Sequence, residues 1–402
     1  MSFQQGLSGL NAAAKNLDVI GNNVSNASTV GFKQSQAQFA DVYANSLTGA
    51  GGAGIGIGTK VAQVAQQFTQ GNITSTNNPL DIAINGGGFF RMDNNGEVNY
   101  QRNGQFQLDR LGFIVSPTGA KLTGYPANAS GVLATGAPVP LAINTADLAP
   151  QVTSGVNAVI NLNSSATTPT VAPFDMNDPL SFNNSMAVSV YDSLGNQHTL
   201  QNYFVKTAAN TWEVHASLNG EPSTLVGTLT FDASGSLTSG SPITIPPQTL
   251  TTGANTLGFP IDFTGTTQFG SPFSVNTLNQ DGFTSGRLAG FNIGPDGTIQ
   301  GRYTNGQSKV LGQVVLANFA NPNGLQPLGN NMWAETATSG AALVGPPDSG
   351  SLGVLQSSAV EDSNVDLTAE LVNMMTAQRA YQANAQTIKT QDQVLQTLVN
   401  LR

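Results

Sequence analysis

The side chains best suited to chemistry are two histidines, His198 and His215, in a chain of 402 residues that contains no cysteine. Both histidines lie on successive predicted β-strands, where they could face each other. Zinc in proteins normally takes three or four His, Cys or carboxylate ligands, and no carboxylate cluster accompanies these two residues. We therefore expect both to be surface residues, and we expect neither a metal site nor a cofactor.

Other patterns resemble known motifs but lack a necessary part. Gly58-Thr59-Lys60 has a threonine between glycine and lysine, and no strand is evident before it, unlike a phosphate-binding loop. The run Asp93 to Glu97 lacks the closing glutamate of a calcium loop, so a hairpin turn is the better interpretation. No Gly-x-Ser-x-Gly elbow is present. We therefore expect no enzymatic activity; a hydrolase activity that depends on His198 or His215 would support the alternative.

The composition argues against two further classes of function. There are 14 Lys and Arg residues against 23 Asp and Glu residues, which gives a formal net charge of -9, and only 9% of residues are charged. Binding to a phosphate backbone requires clustered Lys and Arg, and none occurs, so we expect no nucleic-acid partner. No run of 18 apolar residues and no cleavable signal pattern are present, so we expect no membrane insertion and no signal peptide.

Both ends of the chain carry the pattern of a narrow helical seam. The N-terminal seam comprises Phe3, Leu7, Leu10, Ala14 and Leu17. The C-terminal seam lies in a stretch without Gly or Pro and comprises Leu367, Leu371, Met374, Tyr381, Ala385, Ile388, Leu395 and Leu398. Isolated helices of this kind are marginal in water, and Gly6 and Gly9 weaken the first one further. Each helix therefore needs a partner, and we predict that the two seams form an assembly surface.

The simplest alternative is an intramolecular coiled coil that joins the chain ends. However, the polar face of the C-terminal helix carries mainly Asn and Gln, whereas a solvent-facing helix normally carries paired Glu and Lys. This composition favours packing against further copies, or the lining of a wet passage.

The residues between the two helices are predicted to be β, because short Val, Ile, Thr and Phe runs alternate with turn pairs such as Asn95-Gly96 and Asn305-Gly306. The fold class is therefore mainly β with α-helical termini. A glycine-rich stretch from Gly49 to Gly58 indicates a flexible segment. The predicted domains are terminal helices (1–30 and 360–402), an extended connector (31–72), an inner β domain (73–148 and 284–359) and an outer β domain inserted into it (149–283).

Three blocks of sequence resemble a known family. The N-terminal block is the run 17–26 with 29–33, in which the candidate signature residues are Asn22, Asn23, Asn26, Gly31, Phe32 and Lys33. The C-terminal block covers 363–398, and a third block covers 80–84, 88–90 and 102–106. Together they resemble the bacterial flagellar axial family, which comprises rod, hook and hook-associated proteins. Ser25 departs from the family pattern, where alanine is more usual.

The resemblance implies a structural subunit that self-assembles into a tube, with the paired terminal helices innermost and the β domains outside. The insert of about 135 residues at 149–283 resembles the outer domain of the hook members, whose tube is a flexible joint that transmits torque. A distal rod protein lacks such an insert. A rod or hook–filament junction protein, and a secreted β-rich adhesin, remain alternatives.

The resemblance also implies partners and a location. The partners are further copies of the chain, the rod, hook cap and hook–filament junction proteins, and the flagellar type III export apparatus. The location is the extracellular flagellum, at the hook and basal body, reached without a cleavable signal. Phe3 and Leu7 resemble a short export-gate motif, and two ordinary seam positions explain them equally well.

Overall fold

The computed structural model of the chain describes residues 2–42 and 56–400. The fold is mainly β with one long helix at each end, which confirms the predicted class. The chain divides into two compact units. Unit 1 comprises Met1–Asn144, Gly290–Gly301 and Ser308–Arg402, and unit 2 comprises Thr145–Ala289 and Arg302–Gln307. The residues predicted as terminal helices and inner β domain thus fall mostly in unit 1, and the predicted insert 149–283 lies within unit 2.

The helices are α1 (Ser2–Ser25) and α2 (Leu367–Asn400), with a 3-10 turn at Pro322–Gly324. The first ten strands are β1 (Ser35–Val42), β2 (Gly58–Gln66), β3 (Ile73–Ser75), β4 (Ile82–Asn85), β5 (Phe89–Asn94), β6 (Glu97–Gln101), β7 (Gln107–Leu108), β8 (Ile114–Val115), β9 (Lys121–Pro126) and β10 (Val139–Pro140). The next nine are β11 (Val156–Asn161), β12 (Asn184–Tyr191), β13 (Gln197–Ala208), β14 (Thr211–Leu218), β15 (Thr224–Phe231), β16 (Leu237–Ser239), β17 (Ile243–Thr244), β18 (Pro260–Asp262) and β19 (Ser274–Gln280). The last nine are β20 (Leu288–Ile293), β21 (Thr298–Tyr303), β22 (Ser308–Val314), β23 (Leu316–Asn318), β24 (Gln326–Gly329), β25 (Met332–Ala334), β26 (Leu343–Gly345), β27 (Val354–Ser357) and β28 (Ala359–Glu361).

The start of the second helix is explained by the sequence. Asp366 caps α2, because its Oδ1 accepts hydrogen bonds from the N–H groups of Thr368 (2.9 Å) and Ala369 (3.1 Å), and a carboxylate is favourable at a helix N-terminus. α2 therefore begins later than the predicted boundary at 360, and residues 359–361 form strand β28 instead. No helix among the described residues is long and apolar enough to cross a bilayer.

The predicted connector, 31–72, contains a β-hairpin. β1 and β2 pair antiparallel from Ser35 opposite Gln66 to Val42 opposite Gly58, and β2 contacts α1. The expectation of an extended, unpacked segment was therefore wrong for these strands. Alternating Gln with Ala, Phe and Val gives only a weak strand pattern, which the neighbouring glycine-rich stretch made easy to miss. Residues 43–55, with most of that stretch, lie outside the described residues.

The largest sheet has the strand order β20-β21-β22-β9-β5-β6-β25-β24, and β27-β4 and β28-β3 form separate antiparallel pairs. In unit 1 an aromatic cluster packs beside β5 and β6. Phe89 lies 5.6 Å from Trp333 and 5.4 Å from Phe68, between ring centroids, in the edge-on geometry that aromatic pairs prefer. The indole N–H of Trp333 donates to Gln66 Oε1 over 2.6 Å, so the end of β2 is attached to this cluster.

Unit 2 is a β-sandwich. Its sheets have the orders β12-β13-β14-β15-β16 and β17-β18-β11-β19, and their inward side chains share one apolar core. Trp212 is fully buried in this core, and its N–H donates to Gln268 Oε1 over 2.9 Å. Burial of this core is the main source of stability available to unit 2, because the chain has no cysteine that could form a disulfide.

Two buried asparagines in unit 2 differ in how their side chains are satisfied. Asn161 donates to the carbonyl of Ser271 over 3.1 Å and accepts from Thr267 Oγ1 over 2.9 Å. Asn202 is fully buried on β13, opposite Met186 and Ala216. Neither its Nδ2 nor its Oδ1 has a hydrogen-bond partner among the described residues. An unpaired buried amide costs free energy that an apolar side chain of similar size does not.

We therefore predict that Asn202→Leu raises the free energy of unfolding of unit 2 by about 1–3 kcal/mol. The matched control Asn161→Leu should lower the free energy of unfolding, because it removes the hydrogen bonds of Asn161 to Ser271 and Thr267. Urea unfolding of the full chain in a Trp333→Phe background would use Trp212 as the only tryptophan reporter. A loss of stability in both variants would contradict the prediction.

Candidate functional site

The helices α1 and α2 pack against each other in antiparallel orientation. Asn23 donates to Glu370 over 3.2 Å near one end of the pair. Near the other end Gly6 lies against Ile388 and Gly9 against Asn384: a methyl group added at Gly9 would come within 2.7 Å of Asn384 Oδ1. The glycines that weaken α1 in isolation therefore occupy the contact face, where the absence of a side chain lets α2 approach closely.

The pair does not bury the predicted seams evenly. On α1 the buried apolar residues are Ala12, Ala13 and Ile20. Phe3 and Leu7 of the predicted seam are exposed, and Leu10, Ala14 and Leu17 are half-buried. On α2 the exposed seam residues are Leu367, Leu371, Tyr381 and Leu395, and the half-buried ones are Met374, Ala385 and Ile388. The side chain of Leu398 lies outside the described residues.

The α1–α2 contact therefore uses a face of small residues, and the more apolar seam of α1 is turned partly away from it. Sequence periodicity identified which positions are apolar but not which face meets the partner, because glycine and alanine contribute little to an apolar pattern. Val372 and Met375, which were not assigned to the seam, are exposed beside Leu371.

A buried charge cluster lies where the chain passes from the helices to the β-strands of unit 1. It consists of Lys33, Arg102 and Glu361, all almost fully inaccessible to solvent. Lys33 Nζ and Arg102 Nε each lie 2.7 Å from a different carboxylate oxygen of Glu361. Buried charges cost several kcal/mol each unless they are paired and hydrogen-bonded, so this geometry indicates a tightly held site.

Backbone groups complete the charge cluster. Lys33 Nζ donates to the carbonyl of Thr69 over 2.8 Å, and the N–H of Gly71 donates to Glu361 Oε1 over 2.8 Å. The Arg102 guanidinium donates to the carbonyls of Gly86 and Gly88. Three other segments of the chain, at Lys33, Gly71 and Arg102, therefore meet at the carboxylate of Glu361.

The pKa of Glu361 reflects two opposing effects. Burial alone would raise it, but the positive charges of Arg102 and Lys33 outweigh burial and hold the pKa below its usual value of 4.5. Burial lowers the pKa of Lys33 from 10.5; the charge of Arg102 acts in the same direction and Glu361 opposes it. The cluster contains two cations and one anion, so Glu361 is the group on which the other two depend.

Next to the charge cluster lies an amide cluster formed by Asn23, Gln34, Asn364 and Glu370. Glu370 accepts from Asn23 Nδ2 and, over 2.8 Å, from Gln34 Nε2. The N–H of Ser35 donates to Asn23 Oδ1 over 2.9 Å, and the N–H of Gln34 donates to Asn364 Oδ1 over 2.7 Å. The end of α1, the start of β1 and the first turn of α2 are thereby joined.

Most of the predicted signature residues lie in or beside these clusters. Asn23 and Lys33 are buried members. Gly31 is buried with φ 72°, a conformation that favours glycine, and its N–H donates to the carbonyl of Glu361 over 2.8 Å. Asn26 donates to the carbonyl of Asn22 over 3.0 Å in the turn after α1. Phe32, which precedes Lys33 in the chain, is half-buried.

Glu361, Gln34 and Glu370 were not identified as site residues from the sequence. An acidic residue at the end of the apolar pair Ala359-Val360 was the available signal for Glu361, because a charge in such a strand requires a partner. Nothing in the sequence indicated that its partners lie more than 250 residues away in Lys33 and Arg102.

The two histidines do not face each other and form separate contacts in unit 2. His198 is buried, with Nε2 3.1 Å from Asp192 Oδ2 and Nδ1 2.7 Å from Asn219 Nδ2. The expectation that it is a surface residue was therefore wrong. His215 is half-buried and stacks on Phe174 at a centroid distance of 4.2 Å. Register explains the separation, since His215 lies opposite Tyr203 rather than opposite His198.

Burial would raise the pKa of Asp192, but hydrogen bonds from Asn196, His198 and the N–H of Leu194 hold it well below its usual range. His198 therefore stabilises a polar turn and is not a free metal ligand. Asp93 accepts from the N–H of Gly96 over 2.9 Å in the β5–β6 turn, which confirms the hairpin interpretation. Gly58 to Lys60 are part of strand β2 rather than a loop before a helix.

Four family models match the chain. They are described as Flagella basal body rod protein (residues 3–33), Flagellar hook protein FlgE/F/G D1 domain (83–172), Flagellar basal body protein FlaE D2 domain (161–283) and Flagellar basal body rod FlgEFG protein C-terminal (356–401). The charge cluster takes Arg102 and Glu361 from two of these matches and Lys33 from a third.

Full-length relatives are similar along the whole chain. The flagellar hook protein FlgE of Salmonella typhimurium is 47% identical over 411 residues and that of Escherichia coli is 45% identical over 409 residues, each covering 100% of both chains. Among solved structures, the Helicobacter pylori flagellar hook protein FlgE2 superimposes with a TM-score of 0.55 at 16% identity, covering 72% of this chain and 100% of that one. At that identity the superposition supports the fold alone.

The charge cluster predicts which of two substitutions in unit 1 lowers the free energy of unfolding more. Glu361→Gln should lower the free energy of unfolding by about 3–5 kcal/mol, because it leaves two buried cations without an anion. Lys33→Met should cost clearly less, because the pair Arg102–Glu361 remains. Urea unfolding in a Trp212→Phe background, with Trp333 as reporter, measures both. Equal losses in the two variants would contradict the assignment of Glu361 as the central group.

The same variant predicts a pH dependence. Because the folded pKa of Glu361 lies below 4.5, its ionised form contributes stability that is fully present above pH 4.5 and is lost as the pH falls through the folded pKa. The difference in stability between the wild type and Glu361→Gln should therefore shrink progressively below pH 4.5. A difference that stays constant from pH 7 down to about pH 2 would show that the carboxylate charge is not responsible.

The helix contact predicts opposite effects for two glycines of α1. Gly21 has no atom within 4 Å of the position of an added methyl group, so Gly21→Ala should stabilise α1 by up to about 1 kcal/mol. Gly9→Val should separate α1 from Asn384 and lower the helical signal in far-ultraviolet circular dichroism. Gly9→Val protein that keeps the full helical signal and the wild-type melting temperature would argue against close packing here.

Proposed function

The chain belongs to the flagellar hook protein family, and on this basis we propose that its copies polymerise through the terminal helices into the tube of a flagellar hook. The family is a structural component of the bacterial flagellum, which places the chain at the hook and basal body region. A tube of this kind connects rod to filament and transmits torque around a bend.

The observation that carries the proposal is the uneven burial of the helix pair. The helices contact each other through small and amide residues, while Leu367, Leu371, Val372 and Met375 are exposed on neighbouring turns of α2. Residues three and four positions apart lie on the same side of a helix, so Leu367, Leu371 and Met375 form one apolar row. An exposed apolar row on a structural protein supports contact with further copies.

The charge and amide clusters support torque transmission. The segments 26–34 and 362–366 are the covalent connections between the helices and the β-strands of unit 1. The first segment is held by bonds from Lys33 to Glu361 (2.7 Å) and from Gln34 to Glu370 (2.8 Å). The second is held at Asn364, whose Oδ1 accepts from the N–H of Gln34 over 2.7 Å. Buried, fully bonded side chains have few alternative arrangements, so the connection should resist rotation while the low-charge outer surfaces exchange hydrogen bonds with water as copies slide.

The partners and the export route that we propose rest on the family resemblance, because no contact with another protein is part of the structure. The partners that we propose are the rod, the hook cap and the hook–filament junction proteins, together with the flagellar type III apparatus, through which the chain is exported without a cleavable signal. Phe3 and Leu7 are exposed on α1, which is compatible with an export motif and equally with an assembly surface. The β-sandwich of unit 2, with its D2 domain match at 161–283, favours a hook subunit over a distal rod protein.

We predict that Leu367→Asp with Leu371→Asp abolishes polymerisation of the purified protein, because the change places charges in the apolar row. Both side chains are exposed in the single chain, so the circular dichroism spectrum should not change. Thr390→Asp, an exposed polar position of the same helix, is the control and should still polymerise. Sedimentation and negative-stain electron microscopy measure the outcome, and normal tubes from the double variant would contradict the role of this row.

A further inference from the structure

A cavity of about 460 Å³ lies between α1, α2 and β1 in unit 1. Its floor is formed by Ile20, Asn23, Glu370 and Ala377, all of which are buried. The side chains at its rim are exposed, among them Phe39 of β1. The cavity therefore opens to solvent at one end and has a carboxylate at the other.

The carboxylate of Glu370 has no cation beside it. Among the described residues that line the cavity, Glu370 is the only charged one, and it is 3% exposed. No Lys, Arg or His in the described part of the chain forms an ion pair with it. The buried cations Lys33 and Arg102 are both bound by Glu361 instead. Buried acidic side chains in proteins are normally paired with a positive charge, so Glu370 offers a negative charge that a cationic ligand can neutralise.

The hydrogen bonds of Glu370 leave one acceptor position for a further donor. Three side-chain amides donate to its carboxylate, those of Asn23 (3.2 Å), Gln34 (2.8 Å) and Asn373 (3.4 Å), whereas a carboxylate accepts about four bonds. The amide oxygens of Gln34 and Asn373 accept no hydrogen bond from the described residues. Each oxygen belongs to an amide whose nitrogen is bonded to Glu370, so it lies close to the carboxylate. A ligand with several N–H donors could therefore bond to the carboxylate and to these oxygens together.

Much of the remaining wall is apolar. Its apolar side chains are Val19, Ile20, Ala37, Phe39, Ala377 and Ala380. A ligand whose head is bonded to Glu370 would therefore have apolar side chains beside its stem on the way to solvent. An aliphatic ammonium ion combines a charged head, several N–H donors and a methylene stem. A bare metal ion would fill little of a cavity of this size and would leave the apolar wall without a contact.

We propose that this cavity binds an aliphatic ammonium group, with its nitrogen at Glu370 and its methylene stem beside Ile20, Ala377 and Phe39. A free alkyl amine and the side chain of a lysine present the same chemistry. Glu370 also connects the end of α1 and the segment before β1 to the first turn of α2, so a ligand bound here would stabilise that connection. The inference concerns the single chain and does not depend on polymerisation.

The test uses the full-length, unpolymerised protein with n-butylammonium chloride as the probe. The side-chain amide resonances of Asn23, Gln34 and Asn373 in a 15N-labelled chain report binding by nuclear magnetic resonance. We expect these resonances to shift in a saturable manner with n-butylammonium chloride, and not with equal concentrations of sodium chloride or of n-butanol. Equal responses to n-butylammonium chloride and to sodium chloride would overturn the inference.

Two variants test the position of the ligand. Glu370→Gln removes the charge and should weaken binding of n-butylammonium by about tenfold or more, whereas Glu97→Gln, the same change at an exposed position of unit 1, should not. Ala380→Leu narrows the cavity at an exposed lining position and leaves the carboxylate and its amide partners intact. It should also weaken binding without changing the circular dichroism spectrum. Unchanged affinity in Ala380→Leu would overturn the inference even where Glu370→Gln fails to fold.

A blocked lysine, Nα-acetyl-lysine N-methylamide, distinguishes the two sources of the ammonium group. Tighter binding of the blocked lysine than of n-butylammonium would assign the cavity to a lysine side chain of a polypeptide, and weaker binding would assign it to a free amine. Binding of neither compound would overturn the inference. Tubes formed by the same protein in that case would leave the proposed function intact.

Discussion

The structure of unit 1 depends on one buried carboxylate. Glu361 accepts from Lys33, Arg102 and the N–H of Gly71, and each of these groups belongs to a different segment of the chain. Removing water from three charges is costly, and the cost is offset only in the geometry that satisfies all of them. The route from the N-terminal helix to the β-strands therefore has one well-defined arrangement.

This constraint explains why the helices and the β domains contribute differently. The helices meet where Gly6 and Gly9 lie against Ile388 and Asn384, while other large apolar side chains, among them Leu7, Leu367 and Leu371, stay exposed. The exposed apolar side chains of this pair are available for contact with other copies, while the charge and amide clusters fix its attachment to the β-strands. A rigid attachment combined with an open side surface is what a torque-bearing polymer needs.

Unit 2 obtains its stability in a different way. An apolar core between two sheets, with Trp212 and Phe204 fully buried, supports it, and the chain has no cysteine that could form a disulfide. His198, one of the two histidines considered as possible metal ligands, closes a turn there with Asp192. The buried pair His198–Asp192 therefore has a structural explanation within the outer domain.

Local patterns in the sequence were sufficient to predict the class of fold and the two terminal helices, because apolar period, turn pairs and composition are properties of neighbouring residues. The family resemblance, rather than these patterns, singled out the blocks that contain Lys33 and Arg102. Three features became visible only in the folded chain: Glu361 joins those two cations, β1 and β2 form a hairpin, and a face of small residues on α1 meets α2. These features depend on contacts between segments far apart in the chain, and on glycines whose role is to leave space, for which no local pattern exists.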